Sequence, residues 1–138
     1  MTVLKPECIT KHTKRTFVIE EHRSQVRFLN PNKHEVQEIK VDDCVLTEGQ
    51  RCDYLVIVDQ ADVSVLVELK GSDVKHAIDQ LTRSHKVLVE HCKTNKFWII
   101  SSYRCPLAST EIQSLTIRIR RDWGVKLKIK NSPVEHTF

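Results

Sequence analysis

Two neighbouring runs of β-forming residues carry ionisable side chains that a buried strand tolerates poorly. The first run, DYLVIV, begins with Asp53, and the second, VSVLVELK, contains Glu68 and Lys70 near its end. Carboxylate and ammonium groups inside a strand core need a charged partner, hydrogen bonds or a bound ion. These three residues are therefore the first candidates for a functional site.

An antiparallel hairpin brings the three charged residues to one face of a sheet. With DQAD (59–62) as the turn, Asp53 lies opposite Glu68, at a Cβ separation of about 5 Å. Lys70 is two residues beyond Glu68 and shares its face, because side chains alternate along a strand. Two carboxylates at that distance repel by about 3 kcal/mol at an effective dielectric constant near 20.

A divalent cation removes this repulsion more completely than Lys70 does alone, because Lys70 offsets only one of the two carboxylates. Mg²⁺ and Mn²⁺ prefer oxygen ligands, and a neighbouring ammonium group stabilises an anionic transition state or helps to activate a water. These are the parts that phosphodiester hydrolysis needs. The competing interpretation is an ion cluster that faces solvent at the strand ends, because the tripeptide ELK by itself carries little information.

The hydrophobic pattern predicts an α/β fold in the order β-β-β-α-β-α-β, with a central mixed sheet flanked by helices. Apolar or alternating runs predict strands, and stripes at helical spacing predict helices. Two further strands, TFVIE and QVRFL, are favoured within 15–30, although that segment also fits a helix. The predicted strands cover 35–41, 53–58, 63–70, 95–102 and 125–130, and the predicted helices run from Ser72 to about Cys92 and from a capping box at Thr110 and Gln113 to about Trp123. In the second helix, LTIRIR also alternates as a strand does.

The composition is that of an ordinary globular protein, with 138 residues, 40% hydrophobic and 29% charged. This length suits a single domain over 15–138, preceded by a loosely docked arm over 1–14. No run is long and apolar enough for a membrane span or a signal peptide, so we expect a cytoplasmic location and no membrane partner. The net charge of +4 is compatible with a nucleic-acid partner.

The five cysteines form an odd set without a C-x-x-C pair. A disulfide framework is therefore not expected, and reduced, mostly buried thiols are favoured. The alternative is a zinc site that gathers Cys44, Cys52, Cys92 and a histidine, but the sequence shows no ligand spacing typical of zinc.

The arrangement Asp53 … Glu68-Leu69-Lys70, on a hairpin followed by a helix, resembles the PD-(D/E)xK nuclease superfamily over about residues 36–130. The resemblance implies a restriction-endonuclease-like core and a Mg²⁺ (or Mn²⁺) ion bound by Asp53, Glu68 and the backbone carbonyl of Leu69. Lys70 would position or activate the attacking water. The expected substrate is nucleic acid, most simply DNA, with a homodimer or an attached partner supplying any sequence specificity.

The resemblance also raises further candidates for the site. Many members of the superfamily supply another acid from an N-terminal helix, and Glu20, Glu21, Glu35 and Glu38 are the acids available here. Some RecB-type relatives carry a functional Gln on the helix after the hairpin, followed four residues later by Tyr. Gln80 fits the first position, whereas position 84 is Ser.

Several other residues have two interpretations each. His76 lies four residues before Gln80, on one side of the helix, and either contacts a phosphate or belongs to a solvated flank. Arg118, Arg120 and Arg121 contact phosphates or line a solvated face. His22 is a metal ligand or, more simply, a surface residue, while Trp98 and Trp123 are expected to fill the core. Besides an active nuclease, the sequence allows an inactive nuclease-fold module that binds nucleic acid or supports assembly, and an unrelated α/β domain.

Overall fold

Alternating strand and helix patterns produce two sheets and two helices in the computed structural model, which describes residues 2–21, 23–70, 73–105 and 107–138. The predictions for His22, Ser72 and the side chain of Lys70 lie outside what is described. The elements are β1 (Ile9–His12), β2 (Thr16–Glu21), β3 (Ser24–Leu29), β4 (Val36–Lys40), β5 (Tyr54–Val58), β6 (Val63–Lys70), α1 (Val74–Leu88), β7 (Asn95–Ser102), α2 (Ser109–Trp123), β8 (Lys126–Asn131) and β9 (Val134–Thr137). From β4 to β8 they follow the predicted order.

The larger sheet has six strands in the order β1-β4-β5-β6-β7-β8. Its first four strands pair antiparallel, whereas β6, β7 and β8 run parallel. Parallel neighbours need a crossover connection, and α1 and α2 provide the two crossovers. The smaller sheet has the order β2-β3-β9. The predicted α/β fold with a mixed sheet is thus confirmed.

The two faces of the six-stranded sheet are covered by different layers. On one face, Leu66 and Trp98 pack in a core with Leu81 of α1 and Ile119 of α2. On the other face, a second core joins the valines of β5 and β6 to the small sheet, and includes Phe28. The expectation that helices flank the sheet is therefore wrong for the second face, where β2 and β3 place apolar side chains at every other position.

The N-terminal segment, expected to be a loosely docked arm, contains the edge strand β1, which pairs with β4. Cys8 and Cys44 form a disulfide bond, so the prediction of five reduced thiols is wrong for this pair. Their separation of 36 residues gives no local sequence signal. Cys52, Cys92 and Cys105 are free thiols.

The helix caps also differ from the predicted ones. Asp73 caps α1, because its carboxylate accepts a hydrogen bond from the backbone N–H of His76 (3.1 Å). At α2, the carboxylate of Glu111 accepts one from the N–H of Ala108 (3.5 Å), so the helix begins earlier than the predicted box at Thr110. In the described part of the chain, neither helix has the length and apolar character that crossing a membrane requires.

Candidate active site

The β5–β6 hairpin has the predicted register, with Tyr54 opposite Val67 and Val58 opposite Val63. The last regular pair is that of Tyr54 with Val67, so Asp53, the residue before Tyr54 in the chain, lies just outside the paired region. The backbone N–H of Asp53 donates to the carbonyl of Val67 (3.1 Å), and its carboxylate accepts a hydrogen bond from the N–H of Leu69 (2.7 Å). Asp53 therefore does not form a regular pair with Glu68. Its carboxylate lies against the peptide that joins Glu68 to Leu69.

Glu68 is on the face of β6 that packs against the helices. It is two residues from Leu66 and therefore shares its face, and Leu66 belongs to the core on the helix side. The exposed fractions are only 1% for Glu68 and 7% for Asp53, so both acids are buried. The Asp53 carboxylate thus lies beside the peptide that follows Glu68, and both acids are shielded from solvent.

The thiol of Cys52, the residue before Asp53, is buried. Burial raises the pKa of this thiol well above its ordinary value, and a hydrogen bond with Ser84 opposes that shift. The negative charges of Glu68 and Asp53 raise the pKa further.

Helix α1 holds residues 51–52, which directly precede Asp53, through two hydrogen bonds. The hydroxyl of Ser84 accepts a hydrogen bond from the N–H of Cys52 (2.7 Å), and the side-chain amide of Gln80 donates to the carbonyl of Arg51 (3.1 Å). Gln80 and Ser84 are four residues apart and lie on one side of the helix. Together they hold residues 51–52, so that the position of Asp53 depends on α1 as well as on β6.

Gln80 thus occupies a place beside the candidate acids, and its side-chain oxygen is buried with no hydrogen-bond donor among the described residues. His76 lies one turn earlier and is exposed, with its backbone N–H used by the cap. Arg51 is itself held by two salt bridges, to Asp42 and Asp43 (2.7 Å each). Sequence reasoning missed Arg51 and Ser84, although the spacing of Ser84 from Gln80 was a usable signal.

The four additional acids lie on or next to β2 and β4, not on the β5–β6 hairpin. Glu35 is at the opposite end of the hairpin, where its N–H donates to the side chain of Gln60 (3.2 Å). Glu38 lies opposite Val56, on the small-sheet face, and bonds to the ring of His12. Glu20 is exposed on β2, and Glu21 pairs with Lys40 (3.3 Å). Within the described ranges, no three His, Cys, Asp or Glu side chains form a group able to hold a metal ion.

The three arginines of α2 are exposed but do not form one patch. Arg118 lines a groove of about 510 Å³ between α1 and α2, and Arg121 pairs with Asp122 (2.9 Å). Arg120 lies two residues from Arg118, hence on another side of the helix. Trp98 is buried and Trp123 packs against the same core, as expected of core residues.

The donor set at the end of β6 fits a hard divalent cation. Mg²⁺ is commonly held by only one or two carboxylates, with waters and substrate phosphates completing its coordination. Asp53 and Glu68 supply two carboxylates, and only one oxygen of Asp53 is used by the hydrogen bond from Leu69.

Comparisons of this chain with protein-family models, with curated proteins and with solved structures found no significant match. The likeness to the PD-(D/E)xK superfamily therefore rests on the residues Asp53, Glu68 and Lys70 and on the order of the elements around them.

Proposed function

We propose that this protein is a divalent-metal-dependent nuclease that hydrolyses phosphodiester bonds in DNA. Asp53 and Glu68 are the proposed metal ligands, with the backbone carbonyl of Leu69, and Lys70 is the residue proposed to assist the attacking water. One observation supports this most directly. The carboxylate of Asp53 accepts a hydrogen bond from the peptide after Glu68, and both acids are buried.

The surroundings of the two acids suit a preorganised site. Glu68 lies on β6, between β5 and β7, and central strands of a sheet move little. Asp53 is held by β6 and, through residues 51–52, by α1. When bound, Mg²⁺ supplies charge stabilisation and a more acidic water. The chain itself supplies fixed carboxylates for the cation, and Lys70 ends the strand that carries Glu68.

The test is cleavage of a supercoiled plasmid in Mg²⁺, in Mn²⁺ and in EDTA, with Asp53→Asn as the decisive variant. Asparagine keeps a side-chain oxygen that accepts the hydrogen bond from Leu69 and removes only the negative charge. We expect cutting in Mg²⁺ and Mn²⁺, none in EDTA, and a loss of about 100-fold or more in Asp53→Asn. Glu135→Gln is the matched control, because Glu135 is an exposed acid on β9 paired with Arg27.

Cleavage that proceeds in EDTA, or that Asp53→Asn leaves at the rate of the unmodified protein, would overturn the proposed nuclease. Lys70→Ala adds a second check, since it should remove cutting while leaving the fold intact.

A second candidate is a module with the same fold that binds nucleic acid or supports assembly without cutting. Two observations favour it. The hydrogen bond from Leu69 already gives Asp53 a structural role, and the described residues offer no third side chain for a metal. Thermal unfolding separates the two candidates. A ligand that binds only the native state at 100 times its Kd stabilises it by about 2.7 kcal/mol, so Mn²⁺ should raise the Tm of a nuclease and leave that of a metal-free module unchanged.

A further inference from the structure

An exposed aromatic residue stands at the end of the sheet that carries the two acids. Tyr103 directly follows β7 and is 53% exposed, the largest such fraction among the described aromatic residues. The guanidinium of Arg23 lies 5.7 Å from the centre of its ring. Arg23 is in the turn between β2 and β3, so two segments far apart in sequence meet here. Neither residue was singled out by the sequence.

Both segments are held in place by hydrogen bonds. On the Tyr103 side, the carbonyl of Ser102 accepts from the N–H of Ser132 (2.7 Å), and the N–H of Cys105 donates to the side chain of Asn131 (2.8 Å). The ring therefore extends from a backbone that is tied to the end of β8. A fixed, exposed aromatic side chain loses little conformational entropy when a ligand stacks on it.

The β2–β3 turn is anchored next to the same strand ends. The hydroxyl of Ser101 donates to the carbonyl of Gln25 (2.7 Å), and the N–H of Gln25 donates to the hydroxyl of Ser132 (2.9 Å). Gln25 is two residues from Arg23. The pairing of Arg23 with Tyr103 thus rests on fixed backbone on both sides.

Tyr103 lies further along the strand direction than the proposed catalytic acids, on the side of the small sheet to which Arg23 belongs, whereas Glu68 faces the helices. Glu68 lies opposite Ile100 in the parallel pairing of β6 and β7, and Tyr103 is three residues further on. At the rise of a parallel strand, this places its backbone about 10 Å beyond Glu68. One strand of B-form DNA advances 3.4 Å per nucleotide, so that distance corresponds to about three nucleotides.

The charge around Tyr103 suits an anionic ligand. Arg23 lies over the ring, and Arg104, the next residue along the chain, is exposed. The nearby acids are Glu20 and Glu21, which line a cavity of about 350 Å³ with Arg23, and Glu21 is neutralised by Lys40. A ring with a guanidinium group beside it is a combination on which nucleic-acid bases stack while phosphates are paired.

We infer that Tyr103 and Arg23 form a platform that binds an unpaired nucleotide of the substrate, with the base on the tyrosine ring and a phosphate at the guanidinium. This inference rests on the proposed nuclease function and narrows its substrate class. A base that stacks on a side chain must leave its own helix. The preferred substrate is therefore single-stranded DNA, or a single-stranded segment next to a duplex, rather than continuous double helix.

The test is fluorescence anisotropy in EDTA, where no cleavage occurs, with a labelled single-stranded oligonucleotide and a hairpin duplex of the same length. Tyr103→Ala should weaken single-strand binding about 5- to 100-fold, which is the range for one base stacked on an aromatic ring. Tyr103→Trp should preserve it, and duplex binding should change less than 2-fold in both variants. Ile117→Ala is the matched control, because Ile117 is an exposed apolar residue (62%) on the outside of α2.

A second probe removes the base instead of the ring. If each nucleotide of the single strand is replaced by an abasic unit, the unmodified protein should bind it as weakly as Tyr103→Ala binds the normal strand. Equal affinities of Tyr103→Ala and the unmodified protein for the single strand, or equal losses on single strand and duplex, would overturn the platform.

The platform and the nuclease fail in different ways. If Asp53→Asn abolishes plasmid cutting but Tyr103→Ala leaves single-strand binding unchanged, the platform alone is overturned. Single-strand binding through Tyr103 without cutting in any metal ion overturns the nuclease alone and leaves the platform as a binding surface.

Discussion

The two faces of the six-stranded sheet both carry charged groups near one end, but these groups are partly exposed on one face and buried on the other. On the small-sheet face, Glu21 pairs with Lys40, whose ammonium also lies 5.1 Å from the centre of the Tyr54 ring. Burial by itself lowers the pKa of Lys40, but Tyr54 and Glu21 outweigh this and the pKa is raised. On the helix face, Glu68 is buried on β6, and the buried carboxylate of Asp53 bonds to the next peptide.

This difference in burial separates an ordinary surface ion pair, Glu21 with Lys40, from the two buried acids, Asp53 and Glu68. A half-exposed acid beside a half-exposed lysine balances its own charge and contributes little to stability, as most surface ion pairs do. Taking two carboxylates out of water at one strand end costs solvation free energy in the native state. A protein gains from such an arrangement where the negative charge has a use, which is why the proposed function rests on the helix face.

The largest expected effect on plasmid cutting is that of replacing a glutamate on the helix face, and a glutamate on the small-sheet face serves as the comparison. Glu68→Gln should reduce Mg²⁺-dependent plasmid cutting by about 100-fold or more, because even the outer-shell partners of a metal ligand are worth 10- to 100-fold. Glu21→Gln should change it less than 2-fold. Initial rates from gel assays measure both. Equal losses in the two variants would mean that the two faces do not differ in function.

The small-sheet face should instead respond to acid. Burial and the charge of Lys128 lower the pKa of His136 to about 4, and its ring accepts a hydrogen bond from the Lys128 ammonium (2.8 Å). Above about pH 6.5 the ring is neutral in both the folded and the unfolded chain. Below that pH the unfolded chain binds a proton that the folded chain does not bind until about pH 4, so stability falls through this window by up to about 3 kcal/mol.

Urea unfolding at pH 7 and at pH 4.5 measures this loss, and His136→Phe is the control. Phenylalanine suits the neighbouring rings of Phe28 and Phe97 and cannot titrate. If His136→Phe loses as much stability between the two pH values as the unmodified protein, the acid sensitivity belongs to other groups.

The smallest effects concern the structural role of Asp53. Asp53→Ala leaves the buried N–H of Leu69 without its acceptor, which should lower the free energy of unfolding by about 1–3 kcal/mol. Asp53→Asn keeps the acceptor and should cost less than about 1 kcal/mol, as should Glu21→Gln on the other face. Chemical denaturation ranks the three variants. An equal cost for Asp53→Ala and Asp53→Asn would show that the hydrogen bond is not what holds this residue.

Local pattern was sufficient to predict the hairpin. The strands of 53–58 and 63–70 alternate around a short polar turn, and a symmetric turn fixes which residues lie opposite each other. Sequence also predicted β2, β3 and the order from β4 to β8. It placed Asp53 opposite Glu68 only approximately, because a carboxylate that replaces a backbone acceptor at a strand end leaves no trace in a hydrophobic pattern.

Contacts between distant segments could not be predicted in the same way. The pairing of β3 with β9, the bond between Cys8 and Cys44, and the meeting of Arg23 with Tyr103 each join segments that are far apart along the chain. Alternation shows that a strand has an apolar face but not which layer will cover it. This explains why helices were expected where the small sheet lies.

The sequence by itself determined the mixed α/β core and the pair of acids at the end of one hairpin, because period, turn and register are local properties. Only the tertiary structure decided that α1 holds the loop before Asp53, that a second sheet closes the opposite face, and that an exposed tyrosine beyond β7 meets an arginine of that second sheet. Those features depend on how separately formed elements pack, and the free energy of that packing is shared among residues that no local pattern connects.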